Sequence, residues 1–499
     1  MSATINTNDL SFFVFGSGHD YTLNNSGTGE GAMWFSHPFM AKGSRAYAGM
    51  YYFLVADENG DLIDAVKDDI AHCTFTPALG DTFDTVGEQE IRVDYRREYI
   101  YDDETLVVEK HLKQKITVVD HGAVSTSYFN QSIYADGYCY IHPSSDYVSR
   151  NNGYWLQGSF KKISAFPWGT TSFSNMSYAL EDASEFGYTD TSKFTSFSKL
   201  FYGCNKLTNI SNFDLLDTSG VYNMSEMFGG CSSLVDITPL KTWKTKQVTN
   251  FKGFLWGTGI VNTDGLQNFK FDGVYSLEQF FYACKNLTDL NGISGWDLST
   301  IEITIEMFYR CFSLTDLTPL KNWNMSRVFN VTRMFAGAYS GAYCGKLLSL
   351  NGLQDWNTGN VIVYTGMFSM QYWLTDISAI SGWDVHLGSN FDDMFLGVAC
   401  ANLSALSGWN MSNATSLSHM FELSKKKWSD KIGKYVVDWS SSQYIGYDDT
   451  IYMSYQVTPP ALEPIEQDAS AVSGWNVPNG SYAFFDGGSA TWINIPSWN

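Results

Sequence analysis

Apolar side chains fall every third residue along much of the chain, and the pattern restarts at near-constant intervals. Leu314, Leu317, Leu320 and Trp323 form one run; Leu234, Ile237, Leu240 and Trp243 form another. The same spacing returns at Leu287, Leu290, Ile293, Trp296, at Leu347, Leu350, Leu353, Trp356 and at Leu374, Ile377, Ile380, Trp383. Asp or Asn follows the tryptophan in most units (Asp297, Asn324, Asn357, Asp384, Asn410), with Ser or Thr shortly after. These residue types accept bonds from free N–H groups and commonly cap helix starts. Then comes a stretch such as Val221, Met224, Met227 and Phe228, whose spacing predicts one to two turns of amphipathic helix. Each unit reads as a short extended segment, a capped turn, a short helix and a return loop.

A Met-Phe pair, or a near equivalent, marks each unit. Its second residue falls at Phe201, Phe228, Leu255, Phe281, Phe308, Phe335, Phe368, Phe395 and Phe421, in steps of 27, 27, 26, 27, 27, 33, 27 and 26 residues. Twelve residues before most of these stands a large aromatic: Trp243, Phe269, Trp296, Trp323, Trp356, Trp383 and Trp409. Three residues after four of them stands a cysteine: Cys204, Cys231, Cys284 and Cys311. A period in the twenties belongs to units that cannot bury their apolar faces alone and stack on their neighbours. The tryptophans, phenylalanines and thiols are therefore expected as structural columns, with the cysteines as small apolar thiols in a core column in preference to bridges. No Cys-x-x-Cys pair supports zinc, and the eight cysteines give no disulfide framework.

The combination Trp-Asp/Asn-x-Ser/Thr, then Met-Phe-x-x-Cys-x-x-Leu, resembles the repeat of BspA-like leucine-rich-repeat surface proteins, which is also abundant in mycoplasma lipoproteins. The best copies are Trp296-Asp297-Leu298-Ser299 with Met307-Phe308, Cys311 and Leu314, and Trp323-Asn324-Met325-Ser326 with Met334-Phe335. The resemblance covers about 300 residues, from roughly Lys199 onward. It implies a leucine-rich-repeat-like solenoid of short parallel strands and short helices, with a role in adhesion or recognition, and it implies no catalytic residues. The expected solenoid occupies 169–499, with loops inserted at 337–345 and 425–468; Trp439 and Trp475 continue the aromatic position in lengthened units, and the end at Trp498-Asn499 forms a C-terminal cap.

Residues 1–168 lack the period and are expected to form an all-β head. In 1–66, Phe12 to Phe15 and Met50 to Val55 predict buried strands, and Asp57-Glu58-Asn59-Gly60-Asp61 predicts a tight hairpin turn in preference to a calcium loop. Alternation at Ile91, Val93 and Tyr95, at Leu106 to Val108 and at Ile116 and Val118, with turns at Asp102-Asp103, resembles an immunoglobulin-like sandwich over 67–125. Residues 126–168 read as a linking or packing segment.

Charge and chemistry narrow the function. A net charge of −21 argues against phosphate-backbone binding and against adsorption to anionic lipid. The longest apolar stretch, Ala46 to Ala56, is too short to cross a bilayer. The eight histidines show no metal-ligand spacing, and no nucleophile elbow or phosphate loop is present. No cofactor is expected. Asp236, Asp289, Asp316 and Asp376 tempt as a glycan-cleaving carboxylate pair. A residue type repeated every coil is expected to be a structural ladder instead, because an active site is built once.

The expectation is a non-enzymatic recognition or adhesion protein. Its solenoid meets protein or glycan on a host or cell surface, its head docks to structural proteins of a larger assembly, and homo-oligomers stay open. Met1 to Asp9 shows no secretory leader, so a bacteriophage particle is the favoured carrier, as a tail or capsid accessory. A bacterial cell-surface adhesin is the alternative, and a glycan depolymerase the less favoured third.

Overall fold

In a computed structural model the described residues are 30–31, 34–35, 39–46, 51–52, 54–56, 62–65, 69–101, 104–128, 131–141, 154–166, 173–174, 176–338, 345–398, 403–421, 426–429, 434–437, 466–477 and 491–493. The expected strand at Phe12 to Phe15, most of both inserted loops, Cys344, Cys400, Trp439 and Trp498 lie outside them. The chain divides into two compact units. One holds 1–196, 204–221 and 242–244; the other holds 197–203, 222–241 and 245–499.

In the first unit, Gly87–Tyr101 and Glu104–Val119 pair along their whole length as an antiparallel hairpin, closing at Tyr101 opposite Glu104. Cys73–Thr76 adds to one edge, and Glu30–Gly31 and Phe39–Ala41 add in parallel to the other. The expected immunoglobulin-like sandwich is not what forms. Residues 67–125 contribute a long hairpin and one more strand to a single five-stranded sheet. The alternation that buries Ile91, Val93, Tyr95, Ile116 and Val118 reports one covered face, and it is the same for either arrangement. Leu54–Ala56 pairs antiparallel with Leu62–Asp64, while the expected turn at Asp57 to Asp61 lies outside the described residues.

A second sheet of this unit runs Val124–Tyr128, Gln131–Tyr134, Tyr138–Ile141, Lys162–Ile163. Its last strand pairs in parallel with Tyr138–Ile141, and single parallel bridges continue the ladder from Lys162 to Asp182 and from Asp182 to Asn209. The sheet thus passes into the repeats without a break. Phe166, Phe186, Phe213 and Trp243 carry the aromatic file through the same unit.

The second unit overturns the strand-and-helix solenoid. Among the described residues from 197 to 421 there is no α-helix and no strand, only lone 3-10 turns and single bridges. The physical reason is visible in residues 304–311. Thr304, Glu306, Phe308 and Arg310 donate their N–H groups to Asn330, Thr332, Met334 and Ala336 of the next coil at 2.9–3.0 Å. Met307, Tyr309 and Cys311 donate three residues back. An α-helix needs every N–H for its own chain; here every second one is spent on the neighbour. Positive φ at Glu306 (53°) and Arg310 (62°) breaks helical continuity, and the Glu306 offset recurs at Lys199, Glu226, Gly253, Gln279, Arg333, Gly366, Asp393 and His419.

The expected extended segment is corrected too. Leu314, Leu320 and Trp323 each donate to the carbonyl three residues earlier, and Thr318–Leu320 is a 3-10 turn. A three-residue repeat matches three residues per turn, neither the 3.6 of an α-helix nor the 2 of a strand.

Candidate binding surface

Each coil spends its large side chains on its neighbours. Trp296, Trp323, Trp356, Trp383, Trp409 and Trp475 are buried and stack face to face, 6.1–6.5 Å between centroids. The indole Nε1 of Trp296, Trp323, Trp356, Trp383, Trp409 and Trp475 donates to the carbonyl of Leu266, Ile293, Leu320, Leu353, Ile380 and Leu406 respectively. In the first unit Trp243 donates likewise to Phe213. Trp475 takes its place on Trp409 although 66 residues separate them, so the file continues across the extra length of chain. Phe281, Phe308, Phe335, Phe368, Phe395 and Phe421 form a second stacked file, and Phe201 stacks on Phe228.

The thiols form the third file. Cys231, Cys284 and Cys311 donate to the carbonyls of Phe201, Leu255 and Phe281, the landmark residue one coil earlier, at 3.1–3.2 Å. All four column cysteines are buried thiols. Burial pushes Cys204 and Cys284 up to about 12. Gln371 occupies this position after the 33-residue step and makes the same bond with its amide, to the Phe335 carbonyl. Its Oε1 accepts from Leu347 N at 3.1 Å. A Cβ on Gly337 would fall 2.8 Å from the Gly345 nitrogen, so the inserted loop leaves and re-enters the coil at one point.

Polar columns close the turns. Asp236, Asp289, Asp316 and Asp376 each accept the backbone N–H two residues on, at 2.7–2.9 Å. Asn262 makes the same bond between Asp236 and Asp289, and Ser349 between Asp316 and Asp376. Neutral residues thus interrupt the carboxylate series. Asp297, Asn324, Asn357, Asp384 and Asn410 do the same after the aromatic position. These residues accept N–H bonds as expected, but the bonds close tight turns instead of opening helices.

What packing does not absorb is a ribbon immediately after the landmark, in the second unit. Tyr202 stacks on Trp256 (6.0 Å, 6° between planes), Trp256 meets Tyr282 at 6.1 Å, and Tyr282 meets Tyr309 at 5.2 Å. Gly229 holds the ribbon position between Tyr202 and Trp256; a Cβ there would come 3.0 Å from the Tyr202 ring, so its bareness lets the two rings meet. Lys199 lies 5.5 Å over Tyr202, and the Arg310 guanidinium 5.2 Å over Tyr309. Tyr202 is 38% exposed, and Trp256 and Tyr282 are half-buried. Nearby, Tyr222 and Tyr275 share the outward position six residues before the landmark, at 52% and 61% exposure. Sequence alone does not isolate the ribbon, although its signal is present as the residue after each landmark.

Among the described residues no group of His, Cys, Asp and Glu is arranged to hold a metal ion. The repeat geometry finds its counterpart in one family model, described as a Mycoplasma protein of unknown function, DUF285. It matches three times, at residues 156–287, 223–345 and 341–452, together more than half of the chain. The chain belongs to the DUF285 family. No curated protein matches it. The DUF285 matches cover the coils that carry the phenylalanine and thiol files and the tryptophan file as far as Trp409, and they span the aromatic ribbon. Repeats of this type are related to those of BspA-like surface proteins, so a surface or repeat protein is the coarse assignment that the family supports.

Proposed function

We propose that this protein is a non-enzymatic recognition or adhesion protein whose ligand meets the aromatic ribbon. The observation that carries the reading is the division of aromatic residues. Two files are consumed by packing, while Tyr202, Trp256 and Tyr282 keep solvent-facing surface in one continuous row. Tyr and Trp supply large, rigid, amphipathic contact area at low entropic cost, which is why they dominate binding hot spots. The column carboxylates favour no hydrolytic alternative, since each is occupied by its own turn. Of the two carriers expected from the sequence, the family match favours display on a cell surface, and nothing in the fold or the comparisons supports a phage particle.

The test is a screen of the full chain against immobilised glycans and host-surface proteins. A ligand retained by the wild type and weakened about tenfold or more by Trp256→Ala or Tyr202→Ala is expected. Retention that ignores both substitutions, or release of reducing ends from a glycan, overturns the reading.

A further inference from the structure

A second aromatic row occupies the outward position six residues before the landmark. Tyr222, Tyr275 and Phe329 hold it in alternate coils, with Thr249 and Glu302 in the coils between. Backbone bonds keep these coils in step. Thr249 N donates to the Tyr222 carbonyl at 2.9 Å, Glu302 N to that of Tyr275 at 2.8 Å, and Phe329 N to that of Glu302 at 3.0 Å. Bonds on either side of the remaining pair hold Thr249 level with Tyr275: Lys270 N to Thr245 Oγ1 at 2.7 Å and Gly253 N to the Glu278 carbonyl at 3.0 Å. Tyr222 is 52% exposed, Tyr275 is 61% exposed and Phe329 is half-buried. The coil does not require a ring there, because Thr249 and Thr415 fill the same position and bond their hydroxyls to the preceding coil. We infer that this row binds a neutral, linear β-1,4-linked glycan laid along the stack of coils.

Spacing and charge select this ligand. Hydrogen-bonded neighbouring coils lie about 4.8 Å apart, so positions two coils apart repeat at about 10 Å. A β-1,4-linked hexopyranose chain turns each sugar over relative to the last and shows the same face every second residue, at nearly that interval. An extended peptide repeats its faces at about 7 Å and falls out of step with the rings. An α-1,4-linked glycan coils and does not meet three platforms in line. The apolar faces of the sugars pack on the rings, while the Tyr hydroxyls and the Glu302 carboxylate bond sugar hydroxyls. Glu302 is the charged member of the five positions, and Arg327 pairs with it at 2.6 Å. The row is thus electrically balanced in a chain of net charge −21, which suits a neutral glycan over an acidic one.

This row is separate from the ribbon, and the experiment keeps the two apart. The full chain is titrated calorimetrically with cellohexaose, with N-acetylchitohexaose and with maltohexaose. One or both β-1,4-linked hexaoses are expected to bind at least about tenfold more tightly than maltohexaose, and the tighter of the two identifies the sugar substituent. Tyr275→Ala is expected to weaken that binding about tenfold or more at unchanged melting temperature, while Trp256→Ala leaves it within about twofold. A double variant, Thr249→Tyr with Tyr275→Thr, keeps the composition but moves the ring out of alternation, and is expected to bind as weakly as Tyr275→Ala. No binding of either β-1,4-linked hexaose, equal binding of maltohexaose, or full binding by the double variant overturns the row. Binding kept in Tyr275→Ala but lost in Trp256→Ala assigns the glycan to the ribbon and overturns it too. The recognition reading of the ribbon falls separately, if the wider screen returns no ligand sensitive to Trp256.

Discussion

Trp323 donates its indole N–H to the carbonyl of Ile293, thirty residues earlier, at 3.0 Å, while its ring lies flat between those of Trp296 and Trp356. One side chain thus supplies both the apolar stack and a polar staple between coils. Trp323→Phe keeps most of the ring but removes one of the two bonds that the Ile293 carbonyl accepts, leaving the one from Trp296 N, and is expected to cost about 0.5–1.5 kcal/mol. Trp323→Ala adds a cavity and is expected to cost about 3–5 kcal/mol. Urea unfolding of the two variants measures both; a Trp323→Phe variant as stable as the wild type would deny the staple.

Ala283 holds φ 56° at a position where Gly203, Gly230, Gly257 and Gly397 take the same turn in other coils. A left-handed residue with a Cβ costs about 1–2 kcal/mol, partly offset by the entropy that glycine loses on folding. Ala283→Gly is therefore expected to stabilise by about 0.5–1 kcal/mol, read as a higher melting temperature. A fall would show that the left-handed column does not limit stability.

Glu185 sits under Tyr138, whose hydroxyl donates to its carboxylate at 2.7 Å, and the Tyr138 ring stacks 3.8 Å from that of His121. Burial pushes Glu185 from 4.5 to about 7; Asp182 adds to the rise, and the Tyr138 bond and Lys162 oppose it. The folded value exceeds the unfolded one, so this group's contribution is full below about pH 4.5 and is lost as pH rises through about 7. Asp69 acts with the opposite sign. Burial alone would raise it, but bonds from Tyr95, Arg97 and His72 together hold it below the usual carboxylate range, so its contribution is lost in acid. Glu185 keeps some solvent contact, which limits its effect to on the order of 1–2 kcal/mol. Unfolding measured from about pH 5 to 8 is expected to flatten in Glu185→Gln; an unchanged profile would sink the assignment.

Cys284 and Cys311 are buried and donate to carbonyls, and burial raises both thiols, Cys284 to about 12. The thiolate is the reactive form, so labelling of the native chain, resolved by peptide mass spectrometry, is expected to spare both until urea unfolds the coils. Among the described cysteines, Cys73, only partly buried, is expected to label first. Early modification of Cys284 would mean that its coil opens locally.

The strongest effect of removing a polar side chain is expected where the repeat is interrupted. Gln371 reaches the Phe335 carbonyl and receives Leu347 N across the foot of the inserted loop. Gln371→Ala leaves both groups without that partner and is expected to cost about 2–4 kcal/mol, measured by urea unfolding. Gln371→Cys is expected to recover part of the loss, since a thiol makes the first bond in three other coils.

The period, the column membership and the burial of tryptophan, phenylalanine and thiol are legible in the chain, because burying large apolar groups forces them into register whatever the backbone does. Side-chain pattern cannot tell how the backbone spends its N–H groups. The stretch ending at Met307 and Phe308 reads as an amphipathic helix from its apolar spacing; the next coil decides otherwise by accepting the N–H groups of Thr304, Glu306, Phe308 and Arg310. The head misleads for a related reason, since alternation at Ile91, Val93 and Tyr95 reports one buried face and not how many sheets supply it. The ribbon from Tyr202 to Tyr309 likewise needs coordinates, because a skipped coil at Gly229 joins two rings that the sequence sets 54 residues apart. Sequence alone determined which residues share a column; only tertiary structure decided the backbone between them and the surface they leave open, because hydrogen bonds between coils connect positions that no local pattern links.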